Sequence, residues 1–247
     1  MPSLADAAPG WVWAPELAAP GATLVLGAET AHHVVRVCRA RPGDSVTLTD
    51  GRGGVARAEL LDSGRETRVL VLRRRDLAEP PARVLLSGVP EGERADWLIE
   101  KVVELGVTAL WPIDTERADW RRAGTKRDRW ERLARAALGQ SRRAWLTVLE
   151  EPAPLALAIE RLPGRTVCWL ADAAGEPAAG VRQAPSAPQA AVVGPSPGLT
   201  DIERESLLTR GFRAICLADG RLRAETAGLA VAAWWAAEGG PPDPDSF

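Results

Sequence analysis

The 247-residue sequence predicts an α/β protein in two parts: a small β-rich unit, read as a barrel, then a parallel sheet with helices. Three observations lead there. Residues 22–75 carry short runs rich in Val, Leu and Thr, separated by Gly-, Pro- and Asp-containing turns. Two consecutive prolines within DLAEPPA then interrupt the pattern, which places a linker at 76–81. From residue 82 onward apolar strand patterns alternate with helical ones, the mark of a parallel sheet with crossover helices.

The first unit, 1–75, is read from four strand segments, ATLVL, SVTLTD, GVARAELL and TRVLVLRR. The turns between them are PGD (Pro42–Asp44), DGRGG (Asp50–Gly54) and DSG (Asp62–Gly64). In the second unit, 82–239, ARVLLSGV is an uninterrupted apolar strand of the kind buried on both faces. Asp96–Leu105 follows as a helix, with Trp97, Leu98, Val102 and Leu105 at helical spacing and Gly106 as its stop. Then come a strand at TALWPID, a helix at Arg127–Leu138, and strands at Thr166–Ala171 and Ala190–Val193. A helix at Thr200–Arg210, a strand at Ala214–Leu217 and a last helix from about Ala224 to Ala237 complete the series. The tail GGPPDPDSF reads as disordered from residue 240.

Composition narrows the function. Apolar residues at 46% and charged residues at 26% are those of a soluble globular protein. No run approaches eighteen apolar residues, and MPSLADAAPGW has no basic leader, so a cytoplasmic protein without a membrane span is expected. Cys38, Cys168 and Cys216 are far apart and are read as buried free thiols. The only histidines are the adjacent His32 and His33, so no zinc spacing exists and no metal is expected. Net charge is −2, yet Thr115–Arg143 holds ten Lys/Arg against four Asp/Glu. That stretch suits either a phosphate footprint or a solvated helical face.

Two motifs are set aside on physical grounds. Gly51–Ala56 fits the dinucleotide pattern G-x-G-x-x-A, but a strand follows it where a pyrophosphate needs a helix N-terminus. Gly194-Pro195-Ser196-Pro197-Gly198 fits the G-x-S-x-G nucleophile elbow. There Pro197 has no amide for an oxyanion hole, and both histidines lie far upstream. No phosphate-binding P-loop occurs, and the adjacent Glu150 and Glu151 read as surface charge on a turn. What remain are the Gly/Pro-bent turns VVGPSPGLT and CLADGRLRAETA at late strand ends, where open α/β sheets bind ligands.

These residues, taken in order, resemble one family. GPSPG (Gly194–Gly198), the acidic helix TDIERESLLTR, Gly211-Phe212 and LADGRLRAETA (Leu217–Ala227) are similar to the C-terminal signature of the RsmE RNA methyltransferases. That signature runs G-P-E-G-G, acidic helix, G-F, L-G-x-R-I-L-R-x-E-T-A. IEKVVELGV (Ile99–Val107), Glu93-Arg94, Pro112 with Thr115-Glu116-Arg117, ALGQSRR (Ala137–Arg143) and HHVVRVCRARPGD (His32–Asp44) resemble further family segments. The resemblance covers most of residues 30–235.

It implies a PUA-like barrel for RNA, then a SPOUT domain whose C-terminal part forms a deep trefoil knot, an exception to ordinary unthreaded topology. It implies S-adenosylmethionine as cofactor, methylation of N3 of a uridine in small-subunit ribosomal RNA, and a homodimer. Leu170, Gly194, Pro195, Gly198, Leu217, Ala218, Leu222, Arg223 and Thr226 are the cofactor residues carried over. Arg94, Arg117, Gln140 and Arg143 are candidates for RNA, suited to guanidinium forks. Arg223 and Glu225 are the catalytic candidates, although Glu225 also suits the first turn of a helix on electrostatic grounds alone.

The chain departs from the family at the loops. Ser196-Pro197 replaces Glu-Gly, Ala218 replaces Gly, Gly220 replaces Arg, and Arg221 replaces Ile. Pro197 deletes an amide and Ala218 adds a methyl group, changes that also suit a non-catalytic RNA-binding paralogue; Arg221 could supply the displaced arginine.

Overall fold

A computed structural model describes residues 11–91, 93–120, 126–182 and 184–237. Residues 121–125 of the basic stretch Thr115–Arg143, and the tail expected at 240–247, lie outside the described residues. The chain divides into two compact units. Among the described residues, one runs to Glu79 and takes in Arg135–Leu146; the other is Pro80–Ala134 with 147–237.

The first unit is a five-stranded sheet in the order β1-β3-β4-β5-β2. Its strands are β1 (Trp11–Trp13), β2 (Thr23–Val25), β3 (Ser45–Thr49), β4 (Gly54–Ser63) and β5 (Thr67–Asp76). β1 lies parallel to β3 and the other pairs are antiparallel. The barrel expected from sequence appears as an open ladder, with β1 and β2 as its two ends among the described residues. Both are three residues long, and Pro15 and Pro20, between them, can donate no ladder bond.

The DGRGG turn is a hairpin between β3 and β4, with Gly51 at φ +72° and Gly53 at φ +93°, values a side chain rarely adopts. This removes the dinucleotide reading. The turn docks the returning segment: Gly53 donates to the Ala144 carbonyl at 2.9 Å, and Leu146 donates to the Gly51 carbonyl at 2.9 Å. Sequence periodicity also missed β1 and the helical stretch α1 (Ala28–His32), which continues as a wider π-turn over His33–Val37. Val12, Leu26, Val34, Val46, Leu48, Leu60 and Val69 form this unit's core.

In the second unit the sheet order is β12-β10-β11-β6-β7-β8, all parallel, with the short β9 also on β7. The strands are β6 (Arg83–Ser87), β7 (Ala109–Asp114), β8 (Val148–Leu149), β9 (Ala153–Pro154), β10 (Val167–Pro177), β11 (Gln189–Val193) and β12 (Arg213–Cys216). The helices are α2 (Arg94–Glu104), α3 (Arg127–Gln140, whose last residues, from Arg135, belong to the first unit), α4 (Leu155–Glu160), α5 (Asp201–Thr209) and α6 (Ala224–Ala236). α2 and α6 pack together on one face. Val84, Leu86, Ile113, Leu155, Leu170, Val192, Leu207 and Phe212 fill the other.

Gln189 is fully buried and satisfied: its Oε1 accepts from Trp169 Nε1 at 2.8 Å and Trp235 Nε1 at 3.0 Å. β10 runs six residues past the expected Ala171 because, after a bulge, Glu176 and Pro177 pair again with β12. The three cysteines are free, but they are half-buried rather than buried as expected from their apolar runs. Burial raises the Cys38 and Cys168 thiols above their ordinary value. Glu150 and Glu151 form ion pairs with Arg161 and Arg127. Among the described residues no helix is long and apolar enough to cross a membrane.

Candidate functional site

Where β10 bulges past Ala171, and beyond the C-terminal ends of β11 and β12, lies a cleft of about 290 Å³. Two loops line it. The first, Gly194–Thr200, joins β11 to α5; the second, Leu217–Arg223, joins β12 to α6.

The first loop is fixed along its length. Gly198 donates to the Pro195 carbonyl at 2.7 Å, closing a turn. Pro197 therefore sits where the turn needs no donor from it. Gly198 is at φ +81°, a conformation that favours glycine. Ser196 donates to the Val89 carbonyl at 3.2 Å, and Gly88 donates to the Val193 carbonyl at 2.8 Å. Gly88 is packed so closely that a Cβ there would stand 2.3 Å from the Pro195 nitrogen. Arg117 donates to the carbonyls of Pro197 and Leu199, both at 3.1 Å. At the loop's end Thr200 and Glu203 form a reciprocal capping box that starts α5.

The second loop is more open. Asp219, Gly220, Arg221 and Arg223 are exposed, and Leu217, Ala218 and Leu222 are half-buried. The Cys216 thiol donates to the Ala218 carbonyl at 3.0 Å. Arg223 Nη1 reaches Glu91 Oε2 at 3.3 Å, an exposed pair. Just past the loop, Glu225 Oε1 accepts from Arg94 Nη1 at 2.5 Å. Glu225 is buried and its Oε2 has no hydrogen-bond partner, whereas the Arg94 side chain is 42% exposed.

The structure brings together most of the sequence-expected cofactor residues. Leu170, Gly194, Pro195, Gly198, Leu217, Ala218 and Leu222 all line the cleft. Arg223 lines an adjoining cavity of about 210 Å³, with Glu91, Ser196, Arg221 and Leu222. Ser196 contributes to both cavities, and its hydroxyl is buried without a partner. Thr226 and Glu225 are not on the wall of either cavity. Glu225 is engaged instead with α2 through Arg94, and Arg117 supports the first loop. Gln140 and Arg143 belong to the first unit. Gln140 is exposed, and burial lowers the Arg143 guanidinium from its ordinary value.

Sequence reasoning missed Asp172, Arg204 and Cys216 on the cleft wall and Glu91 on the adjoining one. Asp172 could have been found from its place just after the strand end expected at Ala171. Arg204, on a polar helix, gave no signal. No group of three or more His, Cys, Asp or Glu residues that could hold a metal occurs among the described residues.

The walls combine apolar side chains (Leu170, Val193, Leu199, Leu217, Leu222) with loop backbone and three charged groups, Asp172, Arg204 and Arg221. Such a cleft suits a flat, partly apolar ligand with a charged end.

Residues 78–236 match the family described as "RNA methyltransferase domain", and residues 26–72 match "RNA methyltransferase PUA domain". The ribosomal RNA small subunit methyltransferase E of Synechocystis is 33% identical over 212 residues, 83% of this chain and 70% of that protein. Its Bacillus subtilis counterpart is 30% identical over 222 residues, 84% of this chain and 87% of that protein. The crystal structure of the Neisseria gonorrhoeae ribosomal RNA small subunit methyltransferase E, bound to S-adenosyl methionine, superposes with a TM-score of 0.79 at 30% identity. That match covers 91% of this chain and 95% of the other.

Proposed function

Because this chain belongs to the RsmE family of RNA methyltransferases, we propose that it methylates N3 of a uridine in small-subunit ribosomal RNA, with S-adenosylmethionine as donor. The observation that carries this reading is the 290 Å³ cleft at the bulge of β10 and the ends of β11 and β12, lined by the loops that carry the family signature. It persists despite Ser196-Pro197 and Ala218, so the loop changes leave a place for the cofactor. This favours the enzyme over a non-catalytic paralogue.

The residues present fit that donor. Leu170, Val193, Leu217 and Leu222 offer apolar walls for adenine, and backbone groups of the loops are at hand for its polar edge. Bound there, S-adenosylmethionine would supply an electrophilic methyl group on a sulfonium.

The adjoining 210 Å³ cavity suits the target base. N3 is on the Watson–Crick edge, so the uridine must be unpaired or flipped to present it. Methylation also requires loss of the N3 proton, which leaves negative charge on the ring. Arg221 and Arg223 line this cavity and would stabilise that charge electrostatically. Arg94, Arg117, Gln140 and Arg143 are assigned to the RNA, and Glu225 to holding Arg94 in place. Thr226 is kept with the cofactor through its place in the first turn of α6.

The finer architecture belongs to the same proposal. The chain is read as a PUA-like domain over 1–75, a linker over 76–81 and a SPOUT domain over 82–239 with a C-terminal trefoil knot. Two facts support the knot. β12 is an outer strand, yet α6 returns to pack on α2, β6 and β11 near the middle of the sheet. The first loop is stitched to the end of β6. The homodimer follows from the family resemblance, and the cytoplasm is kept as the expected place of action.

The test is mass spectrometry of ribosomal RNA nucleosides from a deletion strain, with and without the gene restored. The expected result is 3-methyluridine missing on deletion and regained on restoration. Its presence at full level in both strains would overturn the assignment.

A further inference from the structure

Asp172 and Arg204 form an ion pair on the cleft wall. Asp172 stands two residues beyond Leu170. Its Oδ1 accepts from the Ala174 amide at 2.9 Å, and its Oδ2 accepts from Arg204 Nε. Arg204 is in the first turns of α5, whose start is fixed by the Thr200–Glu203 capping box. The guanidinium is thus tethered through Nε. Among the described residues its Nη1 and Nη2 have no hydrogen-bond acceptor. The Arg204 side chain is 40% exposed and that of Asp172 16%, so the pair presents a cationic fork beside a mostly covered carboxylate.

We propose that this pair is the subsite for the amino-acid end of the methyl donor, an inference that rests on the cofactor reading of the cleft. The α-carboxylate docks on the free Nη face of Arg204, and the α-ammonium lies against Asp172. Charge selects this end of the ligand. Adenine and ribose are neutral and are served by apolar walls and backbone. The amino-acid end alone carries adjacent charges of both signs, and a cation beside an anion is its complement. Asp172 is the one carboxylate among the residues lining the cleft, so the ammonium has no other anionic partner there. Planar guanidinium forks match carboxylates in geometry as well as charge. The tether to Asp172 sets the fork's direction before the ligand arrives, which limits the entropy lost on binding.

Calorimetric titration of the full chain with two probes tests this. One is S-adenosylhomocysteine; the other is 5′-methylthioadenosine, which shares the nucleoside and thioether but has no amino-acid end. The wild type should bind S-adenosylhomocysteine roughly tenfold or more tighter, as expected for a charge-assisted contact. Arg204→Ala should remove most of that ratio and leave methylthioadenosine affinity within about twofold. Arg204→Lys should restore part of the ratio, and Asp172→Asn should also reduce it. Equal weakening of both probes by Arg204→Ala, the sign of a merely structural role, would overturn the proposal, as would an unchanged ratio. Failure of both probes to bind the wild type would instead sink the cofactor reading beneath it.

Discussion

The two loops lining the cleft are held in different ways. Gly194–Thr200 is fixed at nearly every residue: by its own turn, by backbone bonds to the end of β6, by Arg117 and by the Thr200 capping box. Leu217–Arg223 has an exposed middle, one thiol contact and an exposed ion pair, and is fixed at its far end by Arg94–Glu225. One loop is a preformed wall. The other is sparsely bonded, and local openings are drawn from such segments. Affinity for a donor should therefore depend on the first loop's geometry and on the second loop's anchor.

The largest effect should come from Gly88→Ala. Its Cβ would meet the Pro195 nitrogen at 2.3 Å, and neither backbone can yield without moving the preformed wall. Overpacking of this kind costs about 1–3 kcal/mol or more. Loss of S-adenosylhomocysteine binding in calorimetry, with a lowered melting temperature, is expected. Wild-type affinity would show that the first loop tolerates displacement and would break the comparison.

Arg94→Ala comes next. It leaves the buried Glu225 carboxylate without its partner, at a cost of about 1–3 kcal/mol. Hydrogen exchange should quicken in 217–226 and not in 194–200; uniform quickening would contradict the separation. Thr200→Ala removes the cap and should cost about 1 kcal/mol of stability by denaturant titration, with faster exchange confined to the first loop and the start of α5. The smallest effect is expected for Ala218→Gly in the second loop. The methyl group is on an open, half-buried segment, so affinity should change by less than about threefold, within the scatter of surface substitutions. A larger change would mean that this loop, too, is closely fitted.

The sequence made the second unit more legible than the first. Continuous apolar strands such as Val84–Leu86 and helices such as 94–104 declare themselves by periodicity alone. β1, the π-turn and the 141–146 segment gave no such signal, because tertiary contacts hold them: Trp11 Nε1 to the Arg143 carbonyl, and Gly53 to that of Ala144. At the cleft, the Gly/Pro-bent loops were legible because strand ends are where such sheets bind ligands. Asp172 was passed over although it stands just after the strand end expected at Ala171; β10 continues past it to pair with β12. Arg204 looked like any solvent-facing helical residue. Glu225 reads from the signature as a group meeting substrate; the fold buries it against α2, where it holds Arg94.

Calorimetric titration of the intact protein with S-adenosylmethionine asks whether the cleft between these loops binds the methyl donor. Saturable binding at one site per chain is expected, with a dissociation constant between about 1 µM and 1 mM, the range usual for enzyme substrates. Gly88→Ala should abolish this binding. No heat from the wild type at several millimolar ligand would show that the cleft does not hold the donor.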